Sequence, residues 1–464
     1  MKKGDSRVLI MITWLAVVGL IFVVFNVYTI SRTNYVMTHS MITKSQGADT
    51  NRSVPKSISH HEEKHMITAK DISCNRAHNF YDICSIKGPT VLDPTISTFF
   101  QMDPINSTPQ KPLVEKVRPY ARKWENFTMS RIKEVTLVSG PPFTKCQVQH
   151  KAPALVFSAG GYTGNFFHEF NDGFIPLYIT INTIFPDQDI VLVISKARDW
   201  WVSKYSELLR AFSKYPIVNL DNDTSTHCFP SASVGMISHG FMTIAPKLIP
   251  NSKTFTHFRA FLHKAYGQNR KVQNHLSVST PKKSRPLLVL LGRSGRGVGR
   301  LLLNQNEVKL EAEKVGFSVV VFEPTAGTAL REAYALVNSS HAMVGIHGAA
   351  LTHSLFLRPG SVLVQVVPLG AEWVSRVCFE ISARAMGLEY MEYRIKAEES
   401  SLMEKYSKDE PIIKDPVAFR GRNWSPEIMS IYLKEQNVRL DLVRFREYLK
   451  EVYVKAKVFM DKEG

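Results

Sequence analysis

Two short stretches hold the residue types that could do chemistry. The first, Ala152 to Ile179, reads APALVFSAGGYTGNFFHEFNDGFIPLYI. A strand candidate, Ala154 to Ser158, runs into Gly160-Gly161-Tyr162-Thr163-Gly164, and a helix begins at Asn165. His168 and Asp172 stand four apart at its start and share a face, while Glu169 is turned away. An imidazole oriented by a carboxylate suits general-base work, because imidazole exchanges protons near neutrality. The same spacing also fits a plainer role, with His168 packed in a core and Asp172 as a helix-end partner.

The second stretch, Ala342 to Leu369, reads AMVGIHGAALTHSLFLRPGSVLVQVVPL. Met343 to Ile346 and Ser361 to Val367 are buried-strand candidates. Between them, His347-Gly348-Ala349-Ala350 opens a segment that reads as helical to Leu357 and ends at Pro359-Gly360. Free N–H groups and the helix dipole at such a turn favour an anion such as phosphate. Gly348, Ala349 and Ala350 let a ligand approach the backbone. An ordinary tight βα turn has the same outline. Upstream, the strand Pro286 to Leu291 leads into Gly292-Arg293-Ser294-Gly295-Arg296-Gly297-Val298-Gly299-Arg300. Glycines with arginines behind a strand suit a diphosphate, since guanidinium forks pair with its oxygens. The alternative is a basic hairpin tip.

The elements that must position these residues alternate. Strands at Ala154–Ser158, Asp189–Ile194 and Pro216–Leu220 are interleaved with helices, including Trp200–Phe212. After a mostly helical region, Lys247–His275, the polar basic stretch Ser277 to Arg285 reads as a linker. Beyond it come a helix at Asn306–Val315, a strand at Ser318–Phe322 and a helix at Thr328–Val337. This β-α-β-α-β pattern predicts a parallel, doubly wound sheet. Asp221-Asn222-Asp223 follows a strand and has the composition of a metal-diphosphate site, but it overlaps a sequon and is common in loops. Asp187-Gln188-Asp189 sits at the wrong strand end, and no metal site is expected at either.

At 464 residues, two domains are the default. A short basic head, residues 1–7, precedes a charge-free run from Val8 to Ile30, long enough to span a bilayer as a signal anchor. Its charge bias keeps the head cytoplasmic and places the rest in a lumen, with 31–70 a disordered stem. The sequons Asn51, Asn106, Asn126, Asn222, Asn338 and Asn423 are candidate glycosylation sites, with Asn338 beside a core strand. Cys74 and Cys84 could close a loop, an odd cysteine count leaves one thiol, and Cys378 reads as buried. The net charge of +17 is dispersed along the chain. It suits nucleotide diphosphate, anionic membrane or acidic polysaccharide, whereas the anchor argues against nucleic acid.

Taken in order, GGYTGNFFHEFND at Gly160–Asp172, the GR…R…LN pattern from Gly292 to Asn304, VGIHGAALTHSLFLRPGSVLVQVVPLG at Val344–Gly370 and EESSL at Glu398–Leu402 resemble glycosyltransferase family 61, whose plant lineage decorates xylan. The resemblance spans about Leu155 to Leu402. It implies an α/β fold of GT-B type, two Rossmann-like domains (71–280 on the acceptor side, 281–464 on the nucleotide-sugar side) facing a cleft behind a transmembrane helix and stem. It further implies an inverting pentosyltransferase in the Golgi membrane, with UDP-xylose or UDP-arabinofuranose as donor, xylan as acceptor, no metal requirement, and room for a homo- or hetero-oligomer. Arg293 and Arg300 would hold the diphosphate, Gly345, His347, Gly348 and Ala349 would cradle it, and Glu399 would touch the donor sugar. The base would be His168, then Asp172, then Glu169. An inserted-looking Gly-Arg-Gly-Val-Gly leaves open which arginine of the loop meets phosphate. The alternatives are transfer to a protein-linked glycan and a non-catalytic Golgi scaffold. A metal-dependent enzyme built on Asp221 and Asp223 is more remote.

Overall fold

The structure is a computed structural model that describes residues 72–102, 112–140, 145–267, 285–293, 299–421 and 424–463. The expected anchor and stem, the sequons Asn51, Asn106 and Asn423, and most of the Ser277–Arg285 linker lie outside these residues. Among the described residues, no helix is long and apolar enough to cross a membrane.

The N-terminal half contributes β1 (Ile72–Asn75), β2 (Ile83–Ile86), β3 (Thr90–Asp93), β4 (Thr98–Gln101), β5 (Val114–Val117), β6 (Val135–Ser139), β7 (Val148–Gln149), β8 (Ala154–Ser158), β9 (Val191–Ser195), β10 (Val218–Asn219), β11 (His227–Phe229) and β12 (Ala232–Val234). They form two six-stranded sheets. In the first, ordered β1-β2-β12-β8-β9-β10, the strands from β12 to β10 are parallel, and β8 and β9 are buried along their whole length. Burial on both faces is why ALVFS and VLVIS are unbroken apolar runs rather than alternating ones. The second sheet, ordered β5-β6-β4-β3-β11-β7, mixes pairings; five of its strands come from the turn-rich region up to Gln149, and β11 joins them from much later in the chain.

The C-terminal half holds one sheet of β13 (Leu287–Leu291), β14 (Ser318–Phe322), β15 (Ala342–Ile346), β16 (Val362–Val367) and β17 (Glu389–Arg394), ordered β14-β13-β15-β16-β17 with every pairing parallel. The chain order reverses between β13 and β15. In doubly wound sheets a ligand binds in the crevice at the carboxyl ends of strands at such a point. The loops leaving those two strands carry Arg293 and His347-Gly348. The mixed α/β architecture with parallel sheets is GT-B-like.

The halves share one core. Leu155, Phe157, Phe170 and Phe258 pack in the same buried cluster as Val289, Leu291, Met343, Leu355 and Phe379. Polar ties reinforce it: Arg331 meets Glu207 at 2.6 Å, and Arg259 donates to the Leu357 carbonyl at 2.6 Å. Both sets of elements lie in one compact unit, Ala69–Gly464; this cluster spans them, while the N-terminal sheets and the C-terminal sheet each keep a buried cluster of their own. Two disulfides, Cys74–Cys84 and Cys146–Cys228, staple the N-terminal half, and Cys378 is a free thiol, half-buried. Cys146–Cys228 joins positions far apart in sequence, so spacing gave no hint of it.

Candidate active site

Behind β8 the chain turns into a helix capped by Asn165, whose side chain accepts from the Phe167 N–H at 3.1 Å. The helix is α over Phe166–His168, widens to i→i+5 turns over Glu169–Phe174, and returns to α over Ile175–Ile184. Such wide turns mark functional segments of helices. Here the turn still leaves His168 Nδ1 at 2.7 Å from Asp172 Oδ2.

Asp172 is fully buried, at 0% exposure, and is surrounded by donors. The Tyr120 hydroxyl donates to Oδ2 at 3.0 Å, Arg122 donates to Oδ1 at 3.2 Å, and the Asn171 amide donates to Oδ1 as well. Burial alone would raise the carboxyl's pKa, but the His168, Arg122 and Asn171 contacts outweigh it and hold it below the ordinary value. An ionised Asp172 only accepts, so Nδ1 carries the His168 proton and Nε2 is left with a lone pair. The Tyr162 ring stacks on His168 at 4.1 Å between centroids and fixes the imidazole plane. His168, Tyr120, Tyr162 and Glu169 line one small cavity.

Glu169 belongs to the scaffold instead. Its Oε1 accepts from the Gly164 N–H at 2.7 Å and its Oε2 from Trp201 Nε1 at 2.6 Å. Burial pushes its pKa up to about 7 against those hydrogen bonds. It ties the glycine turn to the helix Asp199–Phe212, and neither oxygen is free to take an acceptor's proton.

The opposite wall is cationic. Arg293 and Arg300 converge on Gly348, where a Cβ would lie 3.2 Å from Arg293 Nη2 and 3.4 Å from Arg300 Nη1. Gly348 also has φ +155°, a conformation that side-chain-bearing residues rarely adopt. Arg293 donates to the Gly299 carbonyl and Arg300 to the His347 carbonyl, each at 3.2 Å. Among the described residues, no carboxylate pairs with either guanidinium, and the buried Arg300 Nε has no partner. Burial and the neighbouring Arg293 push Arg300 down to about 9, still protonated at neutral pH. Two half-buried like charges without a counterion are costly, and an anion between them removes that cost.

His347 Nδ1 lies 2.9 Å from Gln365 Nε2, and Gln365 Oε1 accepts from the Tyr390 hydroxyl at 2.8 Å. The Tyr390 bond orients the amide so that its NH₂ donates to Nδ1, which leaves the His347 proton on Nε2. Burial, then Arg300 and Arg293, hold His347 well below its ordinary pKa, so it stays neutral. The segment behind Gly348 is not the α-helix expected. Ala349–Phe356 winds as tighter 3₁₀ turns. The dipole there is weaker than an α-helix would supply, and the arginines carry most of the positive charge.

Phe379 bridges the two walls, with its ring 5.6 Å from Phe167 beside the base and 5.5 Å from His347. Phe166 stacks on His353 at 4.3 Å, and Lys204 Nζ donates to the Ala326 carbonyl at 2.9 Å. Phe379 therefore lies between the helix that carries His168 and Asp172 and the turn His347-Gly348 on which Arg293 and Arg300 converge, while His168 and the arginine pair line separate cavities.

Other expected positions lie elsewhere. Gly345 sits inside β15, where a Cβ would meet Leu291 side-chain atoms at 2.9 Å, so strand packing selects the glycine. Ala350 rather than Ala349 lines the cavity beside the two arginines. Glu399 is buried and committed: Tyr393 donates to Oε1 at 2.6 Å, Lys396 N–H to Oε2 at 2.8 Å, and Arg444 completes the set. It fastens the end of β17 to the C-terminal helix Leu442–Lys462 and has no oxygen left for a sugar. Asp221 pairs with Lys133 at 3.2 Å and Asp223 with His227 at 3.0 Å. Asn126 and Asn222 are exposed, whereas Asn338 Oδ1 accepts from Arg259 and Tyr334 and faces inward contacts.

Sequence reasoning missed Tyr120, Arg122, Tyr162, Gln365 and Phe379. One signal was available, since Gln365 interrupts the otherwise apolar strand VLVQVV at 0% exposure, where an amide must have partners.

The model of the family described as Glycosyltransferase 61 matches residues 164–364. Xylan glycosyltransferase MUCI21 of Arabidopsis thaliana is 39% identical over 401 residues, covering 83% of this chain and 80% of its own. Beta-1,2-xylosyltransferase XYXT1 of Oryza sativa subsp. japonica is 37% identical, covering 72% of this chain and 70% of its own. Alpha-1,3-arabinosyltransferase XAT3 of the same rice is 35% identical, covering 82% of this chain and 64% of its own.

Proposed function

The chain belongs to glycosyltransferase family 61, and from that premise we propose that it is an inverting pentosyltransferase that moves xylose or arabinofuranose from a UDP-sugar onto xylan. One observation carries this reading: among the described residues two half-buried guanidiniums have no counterion, and Phe379 links the His347 turn they flank to the helix that carries the Asp172-oriented His168. The relatives' names, which include a xylosyltransferase and an arabinosyltransferase, support a pentose and leave its identity to experiment.

In the mechanism, Arg293 and Arg300 hold the diphosphate and the neutral His347 offers its Nε2–H to the same group. An acceptor hydroxyl attacks the anomeric carbon from the face opposite the phosphate. The new C–O bond forms as the bond to the β-phosphate oxygen breaks, which inverts the centre. The hydroxyl proton passes to His168 Nε2, and Asp172 stabilises the resulting imidazolium. Charge developing on the departing UDP falls on preorganised cations and amides in a partly dehydrated cleft, where such stabilisation is strongest. We propose that these groups serve where other transferases use a divalent cation, so transfer persists in EDTA. The lumenal Golgi placement and type II anchor belong to the same proposal, supported by the Val8–Ile30 run and by two disulfides, which persist in oxidising compartments.

The test is a panel of UDP-sugars with xylo-oligosaccharide and glycopeptide acceptors, with product linkage determined. Pentose on xylan supports the reading. Turnover only on glycopeptide moves the acceptor class. Absence of UDP binding by calorimetry favours a scaffold.

A further inference from the structure

Beside the base lies a set of large aromatic side chains that the mechanism does not use. Trp124 is 42% exposed and Trp373 is 48% exposed. Phe241 stands between them, its ring 5.8 Å from Trp124 and 6.4 Å from Trp373, and Phe80 backs Trp124 at 4.9 Å. Each pair is near perpendicular, at 83°, 70° and 80°, so the rings buttress one another edge to face.

The row is continuous with the catalytic cluster. The Arg122 guanidinium lies 4.9 Å from the Trp124 ring and 5.8 Å from Phe241, while its NH1 is 3.2 Å from Asp172 and 3.5 Å from His168 Nδ1. It also crosses the cleft. Trp124 and Phe241 come from the N-terminal half, and Trp373 opens the short helix Glu372–Ser375 behind β16 of the C-terminal half. Exposed tryptophans in a contiguous row at the mouth of a polar site mark a binding surface rather than incidental exposure.

We propose that Trp124, Phe241 and Trp373 form an acceptor platform on which successive xylose units of the xylan chain stack, presenting one of them to His168. This rests on the function proposed above and names a subsite for its acceptor. A pentopyranose has apolar C–H faces and a rim of hydroxyls, with no hydroxymethyl arm to lift it from a flat ring. The indoles take the faces, and the partly exposed Glu125, held by Arg122 at 2.5 Å, lies next to Trp124 in sequence as an acceptor for the rim. A neutral, repetitive chain suits a platform that has ring faces and few fixed donors. The diphosphate, by contrast, is drawn to the arginine pair.

The experiment is steady-state kinetics of the purified full-length chain with xylobiose and xylohexaose, on wild type, Trp124→Ala, Trp373→Ala, the double variant and Trp373→Phe. We expect each alanine variant to raise KM for xylohexaose about tenfold, roughly one stacked unit's worth of affinity. kcat and donor KM should hold, and Trp373→Phe should recover most of the loss. The double variant should erase the preference for xylohexaose over xylobiose. Unchanged acceptor KM in both single variants overturns the platform, and so does a parallel rise in donor KM, which indicates a structural role. Failure of the underlying function shows separately, because wild type would then turn over neither xylo-oligosaccharide.

Discussion

The two walls of the cleft are prepared in opposite ways. Around Asp172 every partner is in place, with Tyr120, Arg122, Asn171 and His168 all satisfying one carboxylate. Around Gly348 the cluster is incomplete, since Arg293 and Arg300 face each other's charge without a counterion among the described residues. A base has to be oriented before its substrate arrives, whereas a phosphate site gains affinity by waiting for the charge it lacks. The difference predicts that damage to the first wall affects turnover and damage to the second affects donor affinity.

The largest effect should come from His168→Ala, with kcat lower by about 10²–10⁴-fold, the usual range for a lost general base, and donor KM little changed. Equal loss in kcat and donor affinity would merge the two walls into one function. Arg300→Met should weaken UDP binding by roughly 10–100-fold, the scale of lost charge-assisted hydrogen bonds. Because it also removes an uncompensated buried charge, its unliganded Tm should rise by several degrees, with calorimetry and thermal melts as the paired readouts. A fall in Tm would mean that the bond from the guanidinium to the His347 carbonyl outweighs the unpaired charge. Gly348→Ala should raise donor KM several-fold and leave acceptor KM alone, since its Cβ would press on both guanidiniums.

The smallest effect is on pH dependence, and it sets two carboxyls of one helical turn against each other. Glu169 is raised from 4.5 to about 7, so its contribution to stability is complete below 4.5 and lost as pH rises through about 7. Asp172 is lowered from 3.8, so its contribution is present above 3.8 and lost as pH falls through its folded value. Tm should therefore peak on the acid side of neutrality. In Glu169→Gln the decline toward pH 7 should flatten, and a profile identical to wild type would count against the buried-acid assignment.

Local patterns in the chain already determined a good deal. Unbroken apolar runs such as LLVLL and AMVGI announced strands buried on both faces, and the i,i+4 spacing of His168 and Asp172 placed them on one face even through a widened turn. Glycine and arginine behind β13 were legible because one strand and one loop hold them. What only the tertiary structure decided has no period and no fixed spacing. Tyr120 and Arg122 reach Asp172 from about fifty positions upstream. Glu399, chemically as plausible as any acid, was claimed by Tyr393, Lys396 and Arg444 once β17 met the C-terminal helix. The Trp124–Phe241–Trp373 row exists only because two halves share a core. Neighbouring residues are coupled by backbone geometry that sequence encodes directly, whereas distant ones meet only through burial of the whole chain, which no local window contains.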